Sequence, residues 1–140
     1  MIRPYKPDDT DAVIAVWQTA SLVAHPFLSA EVMAREKARI REIYLPRVET
    51  WIFEEDSRLC GFLSLIKNEV GAIFIHPSHQ GKGFGRALMD KAVALRGRLF
   101  LDVFKENSIG RAFYDRYGFR TAREHIHQQT GNALLRMEIG

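Results

Sequence analysis

The 140-residue chain predicts an α+β fold: a mixed central sheet with flanking helices, in the element order βααβββαβαββ. Three observations carry that expectation. Two segments with helical spacing precede the first strand pair, a strand–helix–strand run occupies the middle, and two β-rich segments around a polar turn close the chain.

Taken in order, Ile2 to Tyr5 predicts a short first strand. Asp8, Asp9 and Thr10 offer caps for a helix whose Val13, Val16, Trp17 and Ala20 share one face. His25-Pro26-Phe27-Leu28 interrupts that helix and Ser29 caps a second one, which must end before Pro46 because proline disfavours helical geometry in the residue preceding it. The signs alternate from Glu31 to Glu42, with Glu31 and Arg35 four apart, as on a solvated helix face. Trp51-Ile52-Phe53-Glu54 and Leu59 to Ile66 flank the turn Glu55-Asp56-Ser57-Arg58 and predict an antiparallel hairpin. Gly71 to Ile75 adds a strand through the turn Lys67-Asn68-Glu69. Leu88, Ala92 and Leu95 keep helical spacing up to Gly97, and Leu99 to Phe104 is β-rich, so a right-handed crossover should join two parallel neighbours. Ile109, Phe113 and Tyr117, four apart, mark a short helix that Gly118 ends. Phe119 to Ile126 and Ala133 to Ile139 finish as strands around Gln129-Thr130-Gly131-Asn132.

Residues 1–140 read as a single domain, since no linker, repeat or low-complexity tract divides a composition of 46% hydrophobic and 26% charged residues. Twenty Lys and Arg against 17 Asp and Glu leave a formal charge of +3. That bias favours small anionic ligands and argues against nucleic acid, because acidic residues are interleaved with the basic ones throughout. Cys60 stands alone, which excludes a disulfide within the chain. The start MIRPYKPDD lacks the apolar core of a signal peptide, and no apolar run approaches the roughly 20 residues of a membrane span. The expectation is a cytoplasmic protein without a membrane partner, a monomer or a homodimer paired through its last strands.

The most informative stretch is Ile75 to Met89, IHPSHQGKGFGRALM. Gly81, Gly83 and Gly85 clear side chains from the place where a helix opens, so backbone N–H groups can converge on an anion. The helix end adds unpaired donors and partial positive charge, and Lys82 and Arg86 add formal cations. A phosphate or pyrophosphate is the natural guest. Two familiar phosphate loops fail on spacing. A dinucleotide fingerprint needs glycine where Arg86 or Leu88 stands, and a P-loop needs Ser or Thr where Gly83 stands.

What the stretch does contain, Gln80-x-x-Gly83-x-Gly85 after a strand ending Ile75-His76-Pro77, resembles the GNAT superfamily of acetyl-CoA-dependent N-acetyltransferases. Asn107 to Phe119, NSIGRAFYDRYGF, is similar to that family's downstream segment, and the element order matches over essentially the whole chain. The resemblance implies a GNAT-like mixed sheet and acetyl-CoA as cosubstrate. It implies that Gln80, Gly81, Lys82, Gly83, Phe84, Gly85 and Arg86 wrap the coenzyme pyrophosphate, that the thioester lies beside Phe74 and Ile75, and that Asn107 approaches the pantetheine arm. It further implies that Tyr114 is the general acid for the leaving thiolate.

An amine acceptor near pKa 10 is mostly protonated at pH 7 and must lose a proton before it attacks. No base is evident: Glu69, His76, Asp102 and Glu106 fall near the ends of strands flanking the expected cleft, and for each a surface or capping role competes with catalysis. His25 and Phe27, between the first two helices, border the acceptor region of the family and are assigned to substrate. His79 reads as a solvated turn residue. His125 and His127 lack the cysteine or carboxylate partners of a metal site, so no metal is expected. The reaction implied is transfer of acetyl to a primary amine on a protein lysine, an N-terminus or a small molecule. The alternative is a non-catalytic acyl-CoA-binding sensor module.

Overall fold

The structure, a computed structural model, describes all of residues 1–140. The chain runs β1 (Ile2–Pro4), α1 (Thr10–Ala24), α2 (Ala30–Arg39), β2 (Glu49–Glu55), β3 (Arg58–Ile66), β4 (Glu69–Ile75), α3 (Phe84–Arg96), β5 (Leu99–Phe104), α4 (Ser108–Tyr117), β6 (Arg120–Ile126) and β7 (Ala133–Ile139). That is the predicted element order. No helix is long and apolar enough to cross a membrane.

Residues Gly61 to Leu65 of β3 are all buried, so this strand needs cover on both faces. Alternation sends Leu63 and Leu65 to one side, where they join Leu88, Met89 and Ala92 of α3 together with Leu99, Leu101 and Val103 of β5. Phe62 points to the other side, into a cluster with Ile52 and with Val13, Ile14, Val16 and Trp17 of α1. Helices therefore pack on both faces of one seven-stranded sheet of order β1-β2-β3-β4-β5-β7-β6. The closing strands do not follow chain order, because β7 inserts between β5 and β6 and leaves β6 at the edge.

The β2–β3 turn is tighter than expected. Pairing continues to Glu55–Arg58, leaving only Asp56 and Ser57, at φ 51° and 63°. Two consecutive left-handed residues match the twist of the strands they join. Ser29 caps α2 as predicted, its hydroxyl accepting the Val32 N–H at 3.1 Å. Glu31 and Arg35 are exposed without forming an ion pair, while Glu36 and Arg39 lie 3.6 Å apart on the same helix. Past Arg39 the chain widens into one π-helical turn, Ile40–Tyr44, closed by the Leu45 N–H on the Ile40 carbonyl.

The crossover through α3 sets β4 parallel to β5, but the expected neighbours share a single pairing, Glu69 with Phe100. Beyond it the two strands part, and the gap is what the functional site is built on.

Gly61 fixes one wall of that gap, because it pairs with Ile75 across β3 and β4. A Cβ there would run into Ile75 Cδ1 and come within 2.8 Å of the Phe74 carbonyl oxygen. Gly61→Ala should cost about 1–3 kcal/mol through overpacking, seen as a lower urea midpoint at unchanged m-value.

Candidate active site

On its other side β4 stays paired to β3 along its length, apart from a bulge at Gly71. The His76 N–H donates to the Cys60 carbonyl at 2.8 Å. Antiparallel alternation then assigns the Phe74 and Ala72 N–H groups to β3 and leaves those of Ile73 and Ile75 facing the gap. Two cavities flank this open edge. One, of about 400 Å³, is bounded by Gly81, Gly83, Gly85, Arg86 and α4. The other, of about 410 Å³, lies between α1, α2 and the exposed faces of β4 and β5. Ile73, Phe74, Asn107 and Tyr114 line both.

In the first cavity Gly81 and Gly83 have φ of 80° and 86°, and a Cβ at either would meet nothing within 4 Å. Their left-handed backbone requires glycine, and the open space lets a ligand approach the main chain. Gly83 is the N-cap of α3. The N–H groups of Gly83, Phe84, Gly85 and Arg86 donate to no acceptor in the protein, while Ala87 begins the helical ladder by donating to the Gly83 carbonyl. Arg86 lies over the Tyr117 ring at 5.2 Å, and Tyr117 donates to Asp90 at 2.6 Å. The chemistry of this cradle, free N–H donors with a guanidinium alongside, fits a pyrophosphate.

Three further residues of the turn are placed as follows. The Phe84 ring is buried and stacked on Phe53 at 4.1 Å, and the residue lines the cavity. Lys82 is exposed and does not line the cavity. The Gln80 amide donates to the Ile75 carbonyl at 3.1 Å, tying the turn to the strand end.

On α4, Phe113, Tyr114 and Tyr117 all pack on the core and all line the first cavity. The aromatic side of α4 therefore serves both the core and the cavity wall. The Tyr114 hydroxyl makes no hydrogen bond within the chain, and burial raises its pKa, so it is held protonated. Asn107, only 7% exposed, caps α4: its Oδ1 accepts the Gly110 N–H at 2.9 Å. Its Nδ2 must then face His25 Nε2, 3.2 Å away, which makes that nitrogen the acceptor and puts the imidazole proton on Nδ1. The His25 ring sits among Phe27, Phe74 and Phe104, and burial pulls its pKa down to about 4. His25 lines the second cavity. Phe27 lines neither and packs edge-on against Phe104, with centroids 5.3 Å apart, and against His25.

The base candidates separate by partner. His76 Nδ1 accepts the Ser78 N–H, capping a short turn. Glu106 is exposed and lines neither cavity. Asp102 reaches the second cavity but receives Arg136 Nε at 2.9 Å and His125 Nε2 at 3.1 Å. Burial pushes its pKa up, and these bonds outweigh that and leave it below the usual carboxylate range. Glu69 alone lines the cavity without a partner, its pKa raised by burial and by the Asp102 charge. No group of three or more His, Cys, Asp or Glu is arranged to hold a metal ion.

Sequence reasoning missed Ser21, Tyr44, Ile73 and Thr130 as lining residues. Ile73 was within reach, since it adjoins Phe74 on the same strand. Ser21 and Tyr44 carry no local signal.

Residues 46–121, more than half of the chain, match the family described as Acetyltransferase (GNAT) domain. YiaC of Escherichia coli K12, named a peptidyl-lysine N-acetyltransferase, is 30% identical over 85% of this chain and 82% of its own. YjaB of the same organism, also named a peptidyl-lysine N-acetyltransferase, is 29% identical over 89% of this chain and 86% of its own. The solution structure of its apo form matches with a TM-score of 0.90 at 26% identity, over 99% of this chain and 95% of that one. The crystal structure of the PaiA N-acetyltransferase from Thermoplasma acidophilum in complex with coenzyme A shares the fold at a TM-score of 0.81 and 20% identity, over 97% and 96%.

The burial of His25 makes stability depend on pH. With a folded pKa of about 4 against about 6.5 when unfolded, the neutral imidazole stabilises the fold fully above pH 6.5, and that contribution is lost as the pH falls toward 4. Between pH 7 and 4.5 the loss should be about 2–3 kcal/mol. Urea unfolding should show that slope in the wild type and not in His25→Gln, which retains an acceptor for Asn107.

Proposed function

The chain belongs to the GNAT acetyltransferase family, and from that premise we propose that it moves acetyl from acetyl-CoA to the side-chain amine of a lysine in a protein or peptide. The donor occupies the glycine-turn cavity and the acceptor the cavity beneath α1 and α2. The observation that carries this reading is the shared wall, Ile73, Phe74, Asn107 and Tyr114, where two separately lined cavities meet. Transfer requires that meeting of two substrates. The names of YiaC and YjaB support lysine as the acceptor. A non-catalytic acyl-CoA-binding module would leave the second cavity without an occupant.

The residues divide the work as follows. The free N–H groups at the start of α3, with Arg86, bind the pyrophosphate. The amine enters past His25, loses its proton to water, and its nitrogen attacks the thioester carbonyl carbon. The oxyanion that forms is stabilised by the Ile75 N–H, which is unpaired and fixed in direction by the strand. The attached nitrogen gives up a further proton to water, and when the carbon–sulfur bond breaks the electron pair stays on sulfur, which takes a proton from Tyr114, itself reprotonated by water. Burial makes the Tyr114 phenol a reluctant acid, and a coenzyme thiol, similar to cysteine at a pKa of roughly 8.5, is already a fair leaving group. Its contribution therefore belongs at the low end for general acids. Incubation of lysine peptides with acetyl-CoA, read by thiol release and by the mass of the modified lysine, tests the assignment. Absence of acetyl-lysine on every peptide would reject it.

Gly83→Glu should abolish acetyl-CoA binding in calorimetry while leaving the protein folded, because the carboxylate enters the cradle and repels the pyrophosphate. Near-native affinity would remove the turn from the site.

Tyr114→Phe keeps the ring and removes the proton. It should lose on the order of 10- to 100-fold in kcat, with acetyl-CoA affinity little changed, when chemistry is rate-limiting. Parental turnover under those conditions would exclude Tyr114 as the acid.

A further inference from the structure

The acceptor cavity is longer than the reaction needs. Its reacting end is the wall at Phe74, Asn107 and Tyr114, and its remote end is formed by Glu69, Tyr44 and Ile66. Glu69 pairs with Ile66 and Phe74 with Phe62, four residues apart on β3, a separation of about 13 Å, which a single lysine stem does not cover. The rest of the lining is mostly apolar, with Trp17, Met33, Phe62 and Ile73, and includes Asp102 and Arg39.

Both ends carry polar groups that the protein leaves unmatched. Ser21, wholly buried, has an Oγ without a partner next to His25, one helical turn along α1. At the remote end the π-helical turn carries Tyr44 into the lining, and its hydroxyl is buried and also unpartnered. Gly71 makes room for it, since a Cβ there would collide with the Tyr44 hydroxyl. Glu69 stands beside it: its charge, after burial, helps push the Tyr44 pKa up to about 12.

No cation is hydrogen-bonded to Glu69. Arg136 offsets part of its charge through space but gives its hydrogen bonds to Asp102, and Arg39, which also lines the cavity, lies 3.6 Å from Glu36. A half-buried carboxylate without a hydrogen bond is unfavourable, and a cationic nitrogen would relieve it while donating to the Tyr44 oxygen as well.

Resting on the acetyl-transfer reading of this cavity, we propose that Glu69 and Tyr44 form a subsite for a second cationic nitrogen on the acceptor, remote from the amine that is acetylated. A linear polyamine and a peptide with a basic residue near the target lysine both carry that chemistry.

Binding tests the subsite without turnover. Calorimetry with the protein and coenzyme A should give spermidine at least a tenfold lower Kd than butylamine. Glu69→Gln should erase the difference, and Tyr44→Phe should reduce it several-fold. Equal or undetectable binding of the two amines by the wild type, or a preference that survives in folded Glu69→Gln, overturns the proposal. Acetylation assays then identify the source, comparing spermidine with butylamine and a lysine peptide bearing a neighbouring arginine with its glutamine counterpart. The favoured dication should show its advantage in KM and lose it in Glu69→Gln. A loss confined to kcat and equal for both members of a pair would make Glu69 part of the chemistry and overturn the subsite. Spermidine binding that depends on Glu69, without acetylation of any peptide, would reject lysine as the acceptor and leave the subsite standing.

Discussion

β4 and β5 meet at Glu69 and Phe100 and then separate, and the rest of the molecule is arranged around that parting. A strand edge left open inside a protein presents N–H and C=O groups that must find partners in water or in a ligand. Here the opening lies in the middle of the sheet, flanked by strands paired on their outer sides, so the unpaired groups of Ile73 and Ile75 are held in fixed directions. The same parting divides the space beside β4 into two cavities with a common wall. Rigid donors at a shared boundary are what acyl transfer between two bound molecules demands.

Burial sets the protonation states around that boundary in a consistent way. Removing water disfavours the charged form of every titratable group. His25 is thereby kept neutral and able to accept from Asn107, and Tyr114 and Tyr44 keep their phenol protons. Glu69 is penalised for its charge, while Asp102 escapes through Arg136 and His125. The donor side differs, because its backbone donors and Arg86 are suited to an anion that brings its own charge. The two cavities thus differ in electrostatic sense: one presents free N–H donors and a guanidinium, and the other contains a carboxylate without a hydrogen-bond partner.

Mechanical support comes from pairs distant in the chain. His25 and Asn107, 82 positions apart, connect the end of α1 to the start of α4, so the wall of the second cavity and the helix bearing Tyr114 are positioned together. Phe27 and Phe104 pack against His25 and hold its ring. Phe84 serves the donor side similarly, since its ring on Phe53 anchors the first turn of α3 whose main chain faces the cavity.

By itself the sequence determined the element order, the burial of α1 through Val13, Val16, Trp17 and Ala20, the cap at Ser29, and the glycine turn opening α3. These follow from local causes: hydrophobic periodicity, a capping hydroxyl, and backbone conformations that only glycine adopts freely. Tertiary structure alone decided that β7 lies between β5 and β6 and that β4 and β5 part after one pairing, because strand partnership depends on packing between segments far apart in the chain. It also decided which polar groups are left without partners. Glu69 and Asp102 look alike in sequence, yet one receives an arginine from β7 and the other receives nothing. Ser21 and Tyr44 are unremarkable locally and become unsatisfied only when α1 and the π-helical turn close over the sheet. A residue's type fixes what bonds it is able to make, and only the assembled fold fixes whether a partner is within reach.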